Sequence, residues 1–268
     1  MNPENARRKA DALHDLLRSY GKVLIAFSGG VDSTFLLASA KNALGDGAVA
    51  VTADSVFIPA FEREEAASFC RENQIRQIVF QIDILRDPEI RRNPPDRCYF
   101  CKKRIFSRIQ EIAADEGIAV IAEGSNSDDL MDYRPGMRAV TELGIRSPLC
   151  EVSLTKAEIR LLSGEMHLPT WNKPSYACLA SRIPYADEIS AEKLRMAEQA
   201  ERFLQGMGYR QVRCRIHGKI ARIEVLPEMF PDFMLHRSEI SDVLRSIGFQ
   251  YVTLDLIGYR TGSLNEVL

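Results

Sequence analysis

The run KVLIAFSGGVDSTFLLASAKNAL (22–44) decides the fold. Residues 22–27 form a short, continuous apolar stretch of the kind buried on both faces of a parallel sheet, and residues 34–44 read as a helix. Between them lies Ser28-Gly29-Gly30-Val31-Asp32-Ser33. Its two glycines let the backbone turn tightly and approach an anion. Ser28, Ser33 and the first helical N–H groups add donors at the positive end of a helix dipole. The string lacks the Lys-Ser/Thr ending of a Walker loop, so transfer of a γ-phosphoryl group held by such a lysine is not indicated. Two adjacent glycines taken alone are more often a plain turn with a helix cap; here the whole string sits between a strand and a helix.

Working outward, residues 3–20 show helical periodicity, with Ala6, Ala10, Leu13, Leu16 and Leu17 on one face and Gly21 as punctuation. Downstream, strands are expected at 48–53, 77–82 and 119–124, alternating with helices at 60–73 and 99–115. This rhythm predicts an α/β fold with a doubly wound parallel sheet and ligands at the carboxyl ends of its strands. After residue 150 the rhythm changes. A capped helix starts at Ser153 or Thr155 and ends near Gly164, and the proline-bearing, aromatic stretch 168–188 reads as an ordered loop and hinge. Helix 190–207, strands 210–217 and 220–226, helix 236–247 and strand 250–256 then predict a small α+β domain of ferredoxin-like arrangement. The expected division is 1–186 for the nucleotide domain with its cysteine loop and 187–268 for the small substrate-binding and oligomerisation domain.

The chain has 268 residues and is 46% hydrophobic, ample for one large and one smaller core. With 35 basic and 37 acidic residues the net charge is -2, so no global field draws in nucleic acid or a membrane, and any anion is held by a local site. The first 17 residues are charged and carry no apolar signal core, and no stretch approaches the roughly 18–20 apolar residues that span a bilayer. The cytoplasm is the expected compartment. There, Cys70, Cys98, Cys101, Cys150, Cys178 and Cys214 read as thiols, metal ligands or catalysts rather than disulfides.

The loop 28–33 resembles the signature of the PP-loop ATP pyrophosphatases, which cleave ATP between its α- and β-phosphates. The resemblance implies that Ser28, Gly29, Gly30, Asp32 and Ser33 grip pyrophosphate, that Asp32 lies near Mg²⁺, and that Ala53-Asp54-Ser55 meets the adenosine. The run Glu123-Gly124-Ser125-Asn126-Ser127-Asp128-Asp129 resembles the second nucleotide-binding segment of such enzymes, with Ser125, Asn126 and Asp128 as its contacts. Read without that resemblance, it is an Asx-rich turn capping a helix.

Cys98 and Cys101 form a Cys-x-x-Cys at the start of a predicted helix, where the dipole and Arg97, Lys102 and Lys103 are expected to lower the thiol pKa. Alone, the pair is half a zinc site, a redox dithiol or two packed cysteines. Cys178, within PSYACLASRIPY (174–185), is the candidate third member. Ser181, Arg182 and two prolines around it suit a held nucleophile. Together with NPPDRCYFCK (93–102), EGSNSDD (123–129) and YRPG (133–136), this segment resembles the LarE family over nearly the whole chain. That family comprises the ATP-dependent sacrificial sulfur transferases that help build the nickel-pincer nucleotide cofactor of lactate racemase.

The resemblance implies adenylation of a carboxyl group on a pyridinium dicarboxylate mononucleotide, then attack of sulfur on the acyl adenylate with loss of AMP. In members with one essential cysteine, the residue matching Cys178 surrenders its own sulfur and becomes dehydroalanine. Three cysteines resemble the other branch, in which a 4Fe-4S cluster, here on Cys98, Cys101 and Cys178, leaves one iron open to exogenous sulfide. Zinc on the same cysteines is the structural alternative.

Arg213 and Arg215 share one face of a predicted strand, and Arg222 and Glu224 repeat the spacing on the next. These four read either as a phosphate site or as a solvated cross-strand ladder. The resemblance implies the former, with Glu201 and Glu224 near the active site, and a trimer or hexamer built around the small domains. Cys70 and Cys214 look like packing residues and Cys150 is undecided. His14, His167, His217 and His236 have no metal-ligand spacing. A tRNA thiolase of the PP-loop class is the rival enzyme, against which the charge argues. A regulator that holds ATP without chemistry is the rival from another class.

Overall fold

The structure is a computed structural model that describes residues 2–131, 135–174, 177–260 and 262–267. Tyr133 and Arg134 of the YRPG run, and Ser175 and Tyr176 of the cysteine loop, lie outside the described residues. In chain order the elements are α1 (Pro3–Tyr20), β1 (Val23–Ala26), α2 (Val31–Leu44), β2 (Ala48–Asp54), α3 (Ala60–Glu72), β3 (Arg76–Gln81), α4 (Pro88–Arg91), α5 (Arg97–Asp115), β4 (Ile121–Ala122), α6 (Pro135–Glu142), α7 (Pro148–Glu151), α8 (Lys156–Glu165), α9 (Ala191–Gly206), β5 (Val212–His217), β6 (Ile220–Val225), α10 (Phe230–Leu235), α11 (Arg237–Ile247) and β7 (Tyr251–Leu254). Among the described residues no helix is long and apolar enough to cross a membrane.

Two compact units emerge, the first from residues 1–83 and 96–176, the second from 84–95 and 177–268. The division departs from a single cut after residue 186: a short upstream segment, 84–95, and the cysteine loop from residue 177 onward both join the second unit. Hydrogen bonds show why. Asn93 Nδ2 donates to the carbonyls of Ile183 (3.1 Å) and Pro184 (2.6 Å). Ala186 N–H donates to Asn93 O at 3.0 Å, and Ile189 N–H to Arg91 O at 2.9 Å. Pairing of this kind between distant segments leaves no local sequence signature.

The first unit is a four-stranded parallel sheet in the order β3-β2-β1-β4 with helices on both faces. Strand alternation makes both faces apolar. Val23 and Ile25 join α1, α2 and α8 on one side, while Leu24, Val49 and Val51 join Phe106, Ile109 and Ile112 of α5 on the other. That is why residues 22–27 read as an unbroken apolar run. The expected strand 119–124 shortens to Ile121–Ala122, after which Glu123 N–H bonds Arg146 O at 2.9 Å and the chain turns away. Because β1 has β2 on one side and β4 on the other, the sheet's switch point falls between β1 and β4. Connections leave there toward opposite faces and open a crevice at the strand ends.

In the second unit β5 and β6 pair antiparallel and β7 adds to β6 in parallel, in the order β5-β6-β7. This corrects the ferredoxin-like guess, which needs a four-stranded antiparallel sheet. No strand precedes α9 among the described residues of the unit, so β7, returning through α11, pairs directly with β6. The core lies on the face lined by Val212, Cys214, Ile216, Ala221, Ile223 and Val225, covered by α9 and α11. Ser190 caps α9 by accepting from Lys193 N–H at 3.2 Å.

Candidate active site

The loop after β1 requires its first glycine twice over. Gly29 sits at φ +71, and a Cβ there would lie 3.2 Å from Ala66 Cβ and 3.4 Å from Glu62 O on α3. Gly30 is the N-cap of α2 with no side-chain cap, so the amides of the first helical turn face the loop without a built-in acceptor. Ser28 and Ser33 close the loop across its mouth, with hydroxyls 3.0 Å apart, and Ser33 Oγ also donates to Gly30 O at 3.2 Å. Such a cradle is pre-shaped before any anion arrives.

Asp32 ion-pairs through Oδ2 with the ammonium of Lys156, the first residue of α8, while its buried Oδ1 has no hydrogen-bond partner among the described residues. At the other end of the loop, Lys173 Nζ donates to Gly29 O at 3.1 Å and to Glu65 Oε2 at 2.7 Å. Sequence patterns single out neither lysine. Lys156 does carry a signal: a cation in the first turn opposes the helix dipole. It stands beside a complete Thr155–Glu158 capping box that otherwise obeys every rule of a helix start.

The segment after β4 packs on this loop so closely that a Cβ on Gly124 would lie 2.9 Å from Ser33 N and 3.0 Å from Ser33 Cα. Glu123 is buried and accepts from Ser125 N–H (3.0 Å), Ser125 Oγ (2.8 Å) and Ser147 Oγ (2.7 Å), with Lys102 Nζ at 3.4 Å. Asn126 Oδ1 accepts from Asp128 N–H at 3.0 Å, and Asp129 Oδ2 from Asn126 N–H at 3.1 Å. The Asx turn is therefore real, and it coexists with a position at the switch point. Asp128 Oδ2 accepts the backbone N–H of Lys156 at 2.9 Å, tying this segment to α8. At the end of β2, Asp54 pairs with Arg63 of α3. The following Ser55 is buried, its Oγ accepting from Phe57 N–H at 3.3 Å and its carbonyl from Ile58 N–H at 3.0 Å.

Burial sorts the cysteines. It pushes the Cys70 thiol up to about 11, and does the same to Cys150, with Glu123, Asp129 and Glu151 adding to the effect. Cys214 is fully buried and pushed well above the ordinary thiol value. These three stay protonated near neutrality, and Cys150 Sγ lies 3.1 Å from Ser125 O as a structural donor. Cys98, Cys101 and Cys178 are half-buried, as is Cys150. Cys98 and Cys101 share one face of the first turn of α5, and Arg97 Nη2 lies 3.9 Å from Cys98 Sγ. Lys102 instead turns to Glu123, and Lys103 to Tyr99 Oη (2.8 Å) and Glu142 (3.3 Å). Among the described residues no three His, Cys, Asp or Glu side chains are gathered to hold a metal ion. Two of the expected ligands lie in the first unit and Cys178 in the second.

In the second unit Cys178 opens a helical turn over Leu179–Arg182. Its carbonyl accepts from Ser181 N–H (2.9 Å), Ser181 Oγ (2.8 Å) and Arg182 Nη1 (3.2 Å). Arg182, 1% exposed, makes a two-pronged pair with Glu201 of α9 at 2.7 and 2.8 Å. Arg182 thus fastens the cysteine turn to α9, and Ser181 braces it from within. Glu201 also accepts Cys214 N–H at 2.9 Å.

On the sheet face away from the core, Arg213 stands opposite Glu224 and Arg215 opposite Arg222. Glu224, 0% exposed, accepts from Arg215 Nε and Nη2 (both 3.1 Å) and from Arg222 Nη2 (2.8 Å). Arg215 also donates to Ser181 O and, at 2.7 Å, to Ser263 Oγ. Burial and the nearby Arg182 lower the Arg213 pKa, and its guanidinium carbon sits 5.1 Å from the Tyr259 ring centre. The ladder exists, but it is buried rather than solvated.

A doubly wound parallel sheet carrying a glycine-rich anion loop at its switch point, followed by a small α+β unit, defines a protein of the PP-loop class. No protein-family model matches the chain. Over 262 residues it is 42% identical to the uncharacterized protein slr1717 of Synechocystis, covering 97% of this chain and 98% of that protein. Over 258 residues it is 39% identical to the pyridinium-3,5-bisthiocarboxylic acid mononucleotide synthase of Lactiplantibacillus plantarum, covering 96% and 92%. A component of the glutamine-hydrolyzing GMP synthase of Methanocaldococcus jannaschii is 26% identical over 205 residues, 69% of this chain and 63% of that one. The chain is an enzyme and belongs to the LarE family, that of the pyridinium-3,5-bisthiocarboxylic acid mononucleotide synthases.

Proposed function

We propose that this enzyme is an ATP-dependent sulfur transferase that converts the carboxylates of a pyridinium dicarboxylate mononucleotide to thiocarboxylates, releasing pyrophosphate and AMP. The observation that carries the reading is the phosphate loop: a cradle of backbone donors with no Walker lysine, at the switch point, in a chain 39% identical to a synthase of such a thiocarboxylate. The amides at the start of α2, with Ser28 and Ser33, receive the β- and γ-phosphates, and Asp32 would hold Mg²⁺. Ala53, Asp54 and Ser55 with Ser125, Asn126 and Asp128 line the nucleotide's other end. A substrate carboxylate oxygen attacks the α-phosphorus, forming the mixed anhydride as the bond to the pyrophosphate oxygen breaks. Sulfur then attacks the acyl carbon and AMP departs with the electron pair.

Cys98, Cys101 and Cys178 would hold a 4Fe-4S cluster. The donor chemistry fits, because these three thiols are half-buried rather than sealed in a core, and two of them share a helix turn. When bound, such a cluster supplies an open coordination position for sulfide. Ser181 and Arg182 position Cys178 through its carbonyl. Arg213, Arg215 and Arg222, balanced by Glu201 and Glu224, would orient the substrate phosphate. A cytoplasmic trimer or hexamer assembled through the second unit completes the proposal.

Anaerobically purified wild type should contain about four irons per chain and lose them in Cys98→Ala, Cys101→Ala and Cys178→Ala. With ATP and the dicarboxylate mononucleotide it should release one pyrophosphate per thiocarboxylate formed. Stoichiometric zinc, or no metal together with dehydroalanine at position 178 after one turnover, would replace the cluster by a sacrificial Cys178. Absence of pyrophosphate release with this substrate but not with tRNA would return the chain to the tRNA thiolases.

A further inference from the structure

The loop 28–33 has no cation of its own, and its surroundings are acidic. Asp32 lies within it, Glu65 pairs with the lysine that reaches Gly29 O, and Asp128 accepts the first amide of α8. A polyphosphate would meet net repulsion there unless positive charge came from elsewhere in the chain. Two lysines bring it. Lys156 pairs with Asp32 across 124 positions of sequence, and Lys173 reaches Gly29 O across 144. One helix positions both. Lys156 begins α8, and one turn later Arg160 donates to Trp171 O and Lys173 O, each at 2.8 Å, pinning the segment that carries Lys173.

We propose that Lys156 and Lys173 are the phosphate-binding cations of this site, replacing from outside the loop the lysine that a Walker loop carries within it. This rests on the reading of the loop as an ATP site. Each ammonium is held by a carboxylate, Asp32 or Glu65. A bound polyphosphate offers several charged oxygens in place of one carboxylate. The flexible four-carbon stem lets each ammonium change partners without moving α8. The exchange releases Asp32 Oδ2, whose buried companion Oδ1 has no partner among the described residues. No covalent step is involved. The lysines act on the β- and γ-phosphates, so they matter for ATP and pyrophosphate and not for AMP.

Calorimetric titration of the full chain with ATP, inorganic pyrophosphate and AMP tests this. Lys156→Met and Lys173→Met should each weaken ATP and pyrophosphate by about tenfold or more, the loss of one charge-assisted hydrogen bond, while AMP affinity shifts less than about threefold. Lys156→Arg should recover most of the pyrophosphate affinity. Unchanged ATP affinity in both methionine variants overturns the assignment. So does a parallel loss of AMP binding in both, which would mark the lysines as scaffold only. Wild type that binds neither ATP nor pyrophosphate would instead overturn the ATP reading itself.

Discussion

The two units handle charge in opposite ways. In the first, the loop after β1 is a cradle of backbone groups that needs glycine at position 29, and the charges around it are single lysines sent from distant segments to single carboxylates. In the second, the charged groups are side chains alternating along paired strands, buried against each other, with Glu224 serving Arg215, Arg222 and Ser263 at once. A backbone cradle stays available to a ligand where the first turn of its helix, as in α2, has no side-chain cap. A buried ion network is satisfied already, and removing one member strands the rest.

The largest expected effect tests that stranding. Glu201→Ala leaves Arg182 buried without its carboxylate and Cys214 N–H without its acceptor, and should cost about 3–5 kcal/mol in urea unfolding. A change below about 1 kcal/mol would mean that the network is not what holds the cysteine turn to α9. Gly124→Ala comes next. Its Cβ would press on the backbone of Ser33, so the phosphate loop must shift, at about 1–3 kcal/mol and with at least tenfold weaker ATP binding in the same titration.

Smaller changes probe α8, the helix that serves the first unit's cradle. Thr155→Ala removes the capping box and should lower stability by about 1 kcal/mol, with a slight loss of ATP affinity as Lys156 loosens. Glu158 gives the pH dependence. Burial raises its pKa, but Lys9, the Thr155 N–H and the Thr155 hydroxyl outweigh that and hold it below the ordinary glutamate value. A depressed folded-state value means the stabilisation is present above the unfolded value and is lost as pH falls through the folded one. The stability gap between wild type and Glu158→Gln, about 1 kcal/mol or less at pH 7, should therefore close in acid. A gap unchanged at about pH 3 would show that packing alone carries it.

Much of this is legible in the residues themselves. The apolar run 22–27, Gly29 and the Thr155–Glu158 box are local demands of backbone geometry, and each stands where periodicity and capping rules put it. The alternation of Arg213 and Arg215 with Cys214 likewise announces one polar and one apolar face. The ferredoxin-like guess fails because strand order depends on which partner β7 finds after α11, which no local pattern encodes. Lys156 and Lys173 escape a reading by motif because a lysine has no fixed reach until the helix beneath it is placed.

By itself the sequence determined the β-loop-α start and the alternating helices and strands, and it singled out the glycine loop and the cysteines as candidates, since all of these follow from the chemistry of neighbouring residues. Only the tertiary structure decided which carboxylate each distant cation meets, and that burial keeps Cys70, Cys150 and Cys214 protonated. It also decided that Asn93 and its neighbours join the second unit. Ion pairing, desolvation and backbone hydrogen bonding between remote segments depend on distances through space, and sequence spacing does not fix those.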